Sequence, residues 1–299
     1  MKIAMLFPYF GKLPEWFNLY LFSCSRNSDI DFIFYTDCSV DGPIPENVKF
    51  NYISFPDFCT KVSSILNVNF YPESPYKICD LRPFFGHIFK KDLRDYDFWG
   101  YGDIDLVYGD LSYLIKKTNK YDLVTSHADR VAGHFALIRK KSDYTHLCYK
   151  IDRWKERLEE EYVYGFDEHD FTSLVYPFTK RIWSAYRRIG KHLGFIYYNF
   201  FRIPNLFYNA FSRHYFQEFY TSILPKDGEH WIYDLTTGKI KNPKNIDLPY
   251  LHFLFFKKTQ FYDAKTYWRD GFWQVGNIDF SKVKGSVIFS NERVVYEKK

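Results

Sequence analysis

Three short apolar runs near the amino terminus constrain the fold more than anything else in the chain. Residues 2–7 (KIAMLF) are closed by Pro8 and residues 30–36 (IDFIFYT) by Asp37, while residues 48–54 (VKFNYIS) alternate apolar and polar side chains. Runs this short, rich in aromatic and branched residues and ended by turn formers, read as strands. Between the first two, the stretch around Trp16–Cys24 carries apolar residues at helical spacing. Strand, helix, strand, strand is the opening of an α/β fold with a parallel sheet.

The pattern continues downstream. Residues 75–91 (PYKICDLRPFFGHIFKK) predict a helix starting near Pro75, with Pro83 as a kink or a second start. Residues 95–111 (DYDFWGYGDIDLVYGDL) are strand-like, then punctuated by glycine, then strand-like again, and residues 121–126 and 133–139 supply two more strands. After residue 150 the character changes. IDRWKERLEEEY reads as a charged helix, 178–223 is a long basic and aromatic segment, and short strands follow around 231–240 and 249–255. No internal repeat or low-complexity linker interrupts the chain, which predicts one domain with a helical insertion.

Composition narrows the class. With 46% hydrophobic and 26% charged residues among 299, the chain is a globular protein with a real core. The net charge of +5 is mild and both signs are interspersed, which lacks the basic stripe of a nucleic-acid binder. Cys24, Cys38, Cys59, Cys79 and Cys148 are odd in number and contain no CxxC, so reduced core thiols in a cytosolic protein are expected, not a disulfide framework or a zinc site. The first apolar run is broken by Pro8 and followed by no small-residue cleavage site, so it reads as a buried strand and not as a signal peptide. No uncharged apolar stretch is long enough to span a bilayer. The aromatic share of 22% reflects either an AT-rich genome or a surface for sugars or membrane interfaces.

The most informative stretch for chemistry is WGYGDIDLVYGDL. Asp103 and Asp105 stand two apart, beside Gly100, Gly102 and Gly109. In an extended segment such residues share a face. Two carboxylates on one face repel, and burying them is costly unless a cation lies between them. Their hard oxygens suit Mg²⁺ or Mn²⁺, ions that also hold diphosphates. The plainer reading is a pair of exposed turn acids.

Three features together resemble a GT-A fold glycosyltransferase of the bacterial capsule and cell-surface polysaccharide type. They are the Asp103-Ile104-Asp105 motif, CDLRPFFGHIF at 79–89, which resembles the helix preceding that motif, and LPYLHFLFFKK at 248–258, which resembles a late strand whose histidine supplies a third metal ligand. Here Asp80 and Arg82 are two apart where the family has three, and Trp99-Gly100-Tyr101-Gly102 replaces its usual lead-in. The resemblance implies a GT-A-like (Rossmann-like) mixed, mostly parallel sheet flanked by helices. It divides the chain into a nucleotide-sugar-binding half at 1–150, an acceptor- or membrane-facing segment at 151–230, and a part at 231–299 that returns to the active site.

The resemblance also implies roles. Asp103, Asp105 and His252 would hold the metal, although a lone histidine on an apolar strand also reads as a satisfied core residue. Asp80 would bond the donor sugar or ribose, and Arg82 would neutralise donor phosphate or orient the acids, with a helix-surface salt bridge as the alternative. Lys77, one turn earlier, would reach phosphate or stay solvated. Lys257 and Lys258 would share the diphosphate charge. Beyond the carboxyl ends of the first two strands, Tyr9 would stack on the base and Asp37 would accept its N–H, or both are ordinary turn residues. Asp167 or Glu168 would face the acceptor as the site acid, or cap the following helix. Gly133 would admit the acceptor and His134 touch it, or the two form a tight turn.

The expected activity is metal-dependent transfer of a hexosyl group from a UDP-sugar to a glycan or lipid-linked acceptor, with retention if His252 is a ligand. The cofactor is Mn²⁺ or Mg²⁺, no nucleic acid is a partner, and the place is the cytoplasm, at the inner membrane face if 178–223 meets lipid. The alternatives are a metal-dependent nucleotidyl- or phosphoryl-transfer enzyme, with Asp110 as a third acid, and a non-enzymatic carbohydrate- or membrane-binding module.

Overall fold

The structure, a computed structural model, describes residues 1–127, 130–176, 213–215, 228–252, 272–275 and 284–298. Its elements run β1 (Ile3–Pro8), α1 (Phe17–Ser25), β2 (Ile30–Thr36), β3 (Val48–Tyr52), α2 (Phe55–Leu66), a 3-10 helix (Pro75–Phe84), α3 (Phe85–Ile88), β4 (Phe98–Gly102), β5 (Leu106–Tyr108), α4 (Ser112–Lys117), β6 (Leu123–Thr125) and β7 (Phe135–Arg139). A second 3-10 helix (Asp143–Lys150), α5 (Trp154–Glu159), a π-helical turn (Asp167–Phe171) and α6 (Thr172–Val175) follow. Then come β8 (Arg213–Tyr215), β9 (Trp231–Asp234), β10 (Lys239–Lys241), β11 (Asp247–Leu248), β12 (Tyr250–His252), β13 (Trp273–Gln274), β14 (Gly285–Phe289) and β15 (Val294–Lys298).

The main sheet has the order β3-β2-β1-β4-β7-β6-β8. Strands β1 to β4 are mutually parallel, β7 is antiparallel to β4 and β6, and β8 is parallel to β6. This is the mixed, mostly parallel α/β sheet expected from the alternation of runs. Both faces of β1 are buried, and its side chains divide between two cores with the two-residue period of a strand. Ile3, Met5 and Phe7 join Tyr20, Phe32 and Phe34 on one side, while Ala4 and Leu6 join Ile33, Phe58, Phe84 and Phe89 on the other. The first core continues into a second sheet, order β11-β10-β9-β14-β15-β13, through Trp231, Tyr233, Val287 and Phe289.

Local chemistry explains most boundaries. Helix α2 is not among the elements expected from the sequence, yet its signals are present. Ser54 accepts the Asp57 N–H at 3.2 Å, Pro56 sits in the first turn, and Asn67 closes the helix in the left-handed region at φ 53°. The helix expected over 75–91 does start at Pro75, but its first ten residues are 3-10. Pro83 removes a donor and crowds the preceding turn, and the α-helical turn begins only after it, at Phe85. The charged stretch after residue 150 yields the short α5. Among the described residues no helix is long and apolar enough to cross a membrane.

Candidate functional site

Parallel pairing sets the carboxyl ends of β1, β2, β3 and β4 along one edge of the sheet, where ligands of open α/β sheets bind. Asp103 follows the last residue of β4. Because β7 is antiparallel, with Phe135 opposite Gly102, Gly133 and His134 enter at the same edge, and the Asp103 N–H donates to the His134 carbonyl at 3.3 Å. Gly100 and Gly102 allow this closeness. A Cβ on Gly100 would lie 2.4 Å from the Ala136 carbonyl oxygen, and one on Gly102 would lie 3.0 Å from that of His134.

The turn carrying the two acids is held from outside the main sheet. The Trp16 indole N–H donates to the Ile104 carbonyl at 2.7 Å. Beyond the turn, β5 pairs antiparallel with β12, and Leu106 lies opposite His252. That register sets the imidazole beside Asp105, with Nε2 3.6 Å from Oδ2. Asp103, Asp105 and His252 each offer a ligand atom within 4.8 Å of the others. Asp105 and His252 are buried, and Asp103 is partly exposed. His252 stacks on His134, with ring centroids 4.4 Å apart, and an imidazole nitrogen of His134 lies 2.8 Å from the Tyr250 hydroxyl. Two carboxylates and an imidazole, converging and largely shielded from water, are a donor set that fits Mn²⁺ or Mg²⁺.

A second acidic pair adjoins the first through Arg82. Its guanidinium forks, one nitrogen donating to Asp103 and the other to Asp167 at 2.9 Å, over the ring of Tyr101. Glu168 accepts the Gly133 N–H at 3.2 Å. The loop before β7 is pinned alongside it, with Val131 N–H donating to Thr172 and Ala132 N–H to Thr125. The two neighbouring acids are driven apart electrostatically. Burial, reinforced by Glu168 and partly offset by Arg82, pushes the Asp167 carboxyl up to about 6. Burial would raise Glu168 too, but the Gly133 N–H and the positive charges around it outweigh that and leave it below its ordinary value.

Several expectations change on contact with this geometry. Lys77 is sealed in the interior, where its ammonium pairs with Asp80 at 3.0 Å and donates to the Arg157 and Tyr162 carbonyls, so it has no path to a phosphate and is not solvated either. Asp80 is equally buried and accepts the N–H groups of Tyr164, Gly165 and Phe166, which leaves it facing a loop and not a sugar. Arg82 is neither a surface salt bridge nor an open phosphate contact; both its arms are engaged by acids, Asp103 and Asp167, which are the contacts its acid-orienting alternative calls for. Gly133 makes no room for an acceptor. A Cβ there would lie 2.5 Å from Arg82 Nη1 and 2.9 Å from Asp167 Oδ2, so the glycine is required by the acid cluster itself.

Tyr9 and Asp37 do lie at the strand-end edge. The Tyr9 hydroxyl donates to the Lys12 carbonyl at 2.5 Å, and exposed Asp37 accepts the Gly11 N–H at 3.2 Å. Asp110 accepts the Ser112 N–H at 2.9 Å and is outside the metal-ligand cluster. Lys257, Lys258 and nearly all of 178–223 lie outside the described residues. Sequence reasoning passed over Trp16 and Tyr250. Tyr250 shares a strand face with His252 two residues on, a readable signal, whereas nothing local marks Trp16 as the clamp of a turn eighty-eight residues away.

No curated protein matches the chain. Among solved structures it is similar to mouse xyloside xylosyltransferase 1 in its apo form, at 11% identity over 58% of this chain and 80% of that one, with a TM-score of 0.33. It is also similar to the apo-form glycosyltransferase GlyE of Streptococcus pneumoniae TIGR4, at 15% identity over 59% of this chain and 43% of that one, with a TM-score of 0.33. A third is the galactosyltransferase LgtC in complex with donor and acceptor sugar analogues, at 15% identity over 56% of this chain and 71% of that one, with a TM-score of 0.32. Likenesses this faint carry no activity to this chain. The sequence model of DUF6625, a family of unknown function, matches residues 5–267. With most of the chain inside that match, the protein belongs to the DUF6625 family.

Proposed function

We propose that this protein is a metal-dependent glycosyltransferase that moves a hexosyl group from a nucleotide-sugar donor, UDP-linked, to a glycan or lipid-linked acceptor in surface polysaccharide synthesis. The observation that carries the reading is the convergence of Asp103, Asp105 and His252 at the carboxyl edge of the parallel strands. Mn²⁺ or Mg²⁺ held there would supply charge stabilisation to a departing diphosphate. Tyr9 and Asp37, at the same strand-end edge, would meet the base, and Arg82, bonded to Asp103, would orient it while neutralising part of the acid cluster. Glu168 keeps its charge, and Asp167 holds or gives up a proton at its carboxyl near neutral pH.

In this reading Asp167 and Glu168 contact the acceptor hydroxyl, and one of them takes its proton if the reaction inverts configuration. Retention, for which the resemblance argues, needs no such base. Lys257 and Lys258 share the diphosphate charge, 178–223 meets the acceptor or the inner membrane face, and 231–299 closes the site through β12. Phosphoryl or nucleotidyl transfer is less well supported, because Asp110, the third acid it would use, is outside the ligand cluster.

The test is release of nucleoside diphosphate from a panel of nucleotide sugars with Mn²⁺, Mg²⁺ or chelator. The reading expects turnover with one nucleotide, dependence on metal, and loss of about a hundredfold or more in Asp103→Ala and Asp105→Ala. Pyrophosphate or free phosphate as product would replace it with the phosphoryl-transfer reading, and glycan binding that survives in both variants without turnover would favour the binding module.

A further inference from the structure

The group least explained by transfer chemistry is the buried pair Lys77–Asp80. Both side chains are sealed, at 1% and 0% exposure, and nothing in the proposed reaction uses them. Burying two charges is costly, and the best-attested use of such a pair is to fix one arrangement among several. What it fixes is explicit. The Asp80 carboxylate gathers three successive backbone N–H groups, from Tyr164 at 3.0 Å, Gly165 at 2.7 Å and Phe166 at 3.3 Å. Three consecutive amides turned onto one anion form a nest, and Gly165 at φ +66° supplies the left-handed step it needs. From the other side the Lys77 ammonium holds the Arg157 carbonyl at 2.8 Å and the Tyr162 carbonyl.

Asp167 and Glu168 are the next residues of that loop. Asp167 takes one arm of Arg82, and the other arm takes Asp103. Arg82 itself lies two residues after Asp80, so the pair grips both partners of the Arg82–Asp167 bond.

We propose that Lys77–Asp80 is a positioning device: it locks the 162–166 loop against the 3-10 helix and thereby sets the Arg82 fork that orients Asp103. Its metal readout rests on the reading proposed above, while its spectroscopic readout does not.

The experiment compares the full chain with Asp80→Asn, Arg82→Lys and their double variant. It reads the guanidinium nitrogen resonances of Arg82 by NMR in the proteins that keep Arg82, and the Mn²⁺ dissociation constant by titration in all of them. Asn47→Ala, which removes a buried amide bonded to the Cys24, Asn27 and Ile30 carbonyls, serves as a destabilised control. A positioning role predicts that Asp80→Asn collapses the separate Arg82 resonances of a fixed fork and weakens Mn²⁺ binding about tenfold, with the double variant no worse than Arg82→Lys. The control lowers thermal stability and leaves both readouts unchanged. Unchanged Arg82 resonances in folded Asp80→Asn, or additive losses in the double variant, overturn the proposal. Collapsed resonances in a protein whose parent binds no Mn²⁺ uphold the positioning role and sink the metal reading instead. If Asp80→Asn does not fold, Gly165→Ala strains the nest while leaving both charged side chains in place, and the same resonances decide.

Discussion

At Asp167 the site's electrostatics become measurable. Its carboxyl, raised to about 6 by burial, ionises near 3.9 in the unfolded chain, a reference value of roughly four. The folded protein therefore holds a proton that the unfolded chain has already released. Stability from this group is full below a pH of about 4 and is lost as pH rises through about 6, by an upper limit of ~3 kcal/mol. Asp167→Asn carries no such titration. In chelator, urea unfolding should find the variant more stable than the parent at neutral pH, by about 1–3 kcal/mol, with the two converging as pH falls. A parent whose stability instead rises from acid to neutral pH by that amount, relative to the variant, would place the carboxyl below its ordinary range. Lys77 offers the opposite case. Removing it as Lys77→Met strands the Asp80 charge in the interior, and about 3–5 kcal/mol of stability should be lost, a drop readable by the same unfolding curves.

Among the elements, the strands that frame the acids tolerate little. Gly100 lies where β4 meets β7, and a methyl group 2.4 Å from the Ala136 oxygen must push the ladder apart. Gly100→Ala should lower the thermal midpoint by several degrees and weaken metal binding together, since Asp103 leaves the same strand. Trp16 makes a gentler probe. Trp16→Phe keeps the ring packing and loses the bond to the Ile104 carbonyl, which should cost about 1 kcal/mol and lower Mn²⁺ affinity through a looser turn. Unchanged affinity would show that the turn needs no clamp. These elements also show what was legible in the sequence. The strands β1, β2 and β3 are written in their apolar runs, and Asp103 and Asp105 in their spacing and glycines. The burial of Lys77 and Asp80 was not, because it depends on a loop contributed by residues 157–166. His252 was readable as a candidate by resemblance and by the two lysines that follow it, and its place beside Asp105 comes from the β5–β12 register, a long-range pairing that no local pattern encodes.

Taken as a whole molecule, the chain builds one edge where four parallel strands end, an antiparallel strand begins, and a late strand folds back to β5. Among the described residues, the stretch from β1 to β7 and the loop at 162–168 supply the acids of the site, and the late strand β12 supplies His252. This arrangement makes the histidine the reporter of closure between the early and late parts of the sequence. Its direct test is a thermal-shift titration with Mn²⁺, alone and with UDP, GDP, CDP or TDP, of the parent, Asp103→Ala and His252→Ala. A ligand that binds only the folded state raises its midpoint. The account predicts that Mn²⁺ raises the parent's midpoint, that one nucleoside diphosphate raises it further only when metal is present, and that both shifts vanish in Asp103→Ala and shrink in His252→Ala. A parent that shifts with no metal and no nucleotide, or an Asp103→Ala protein that shifts as the parent does, would contradict it.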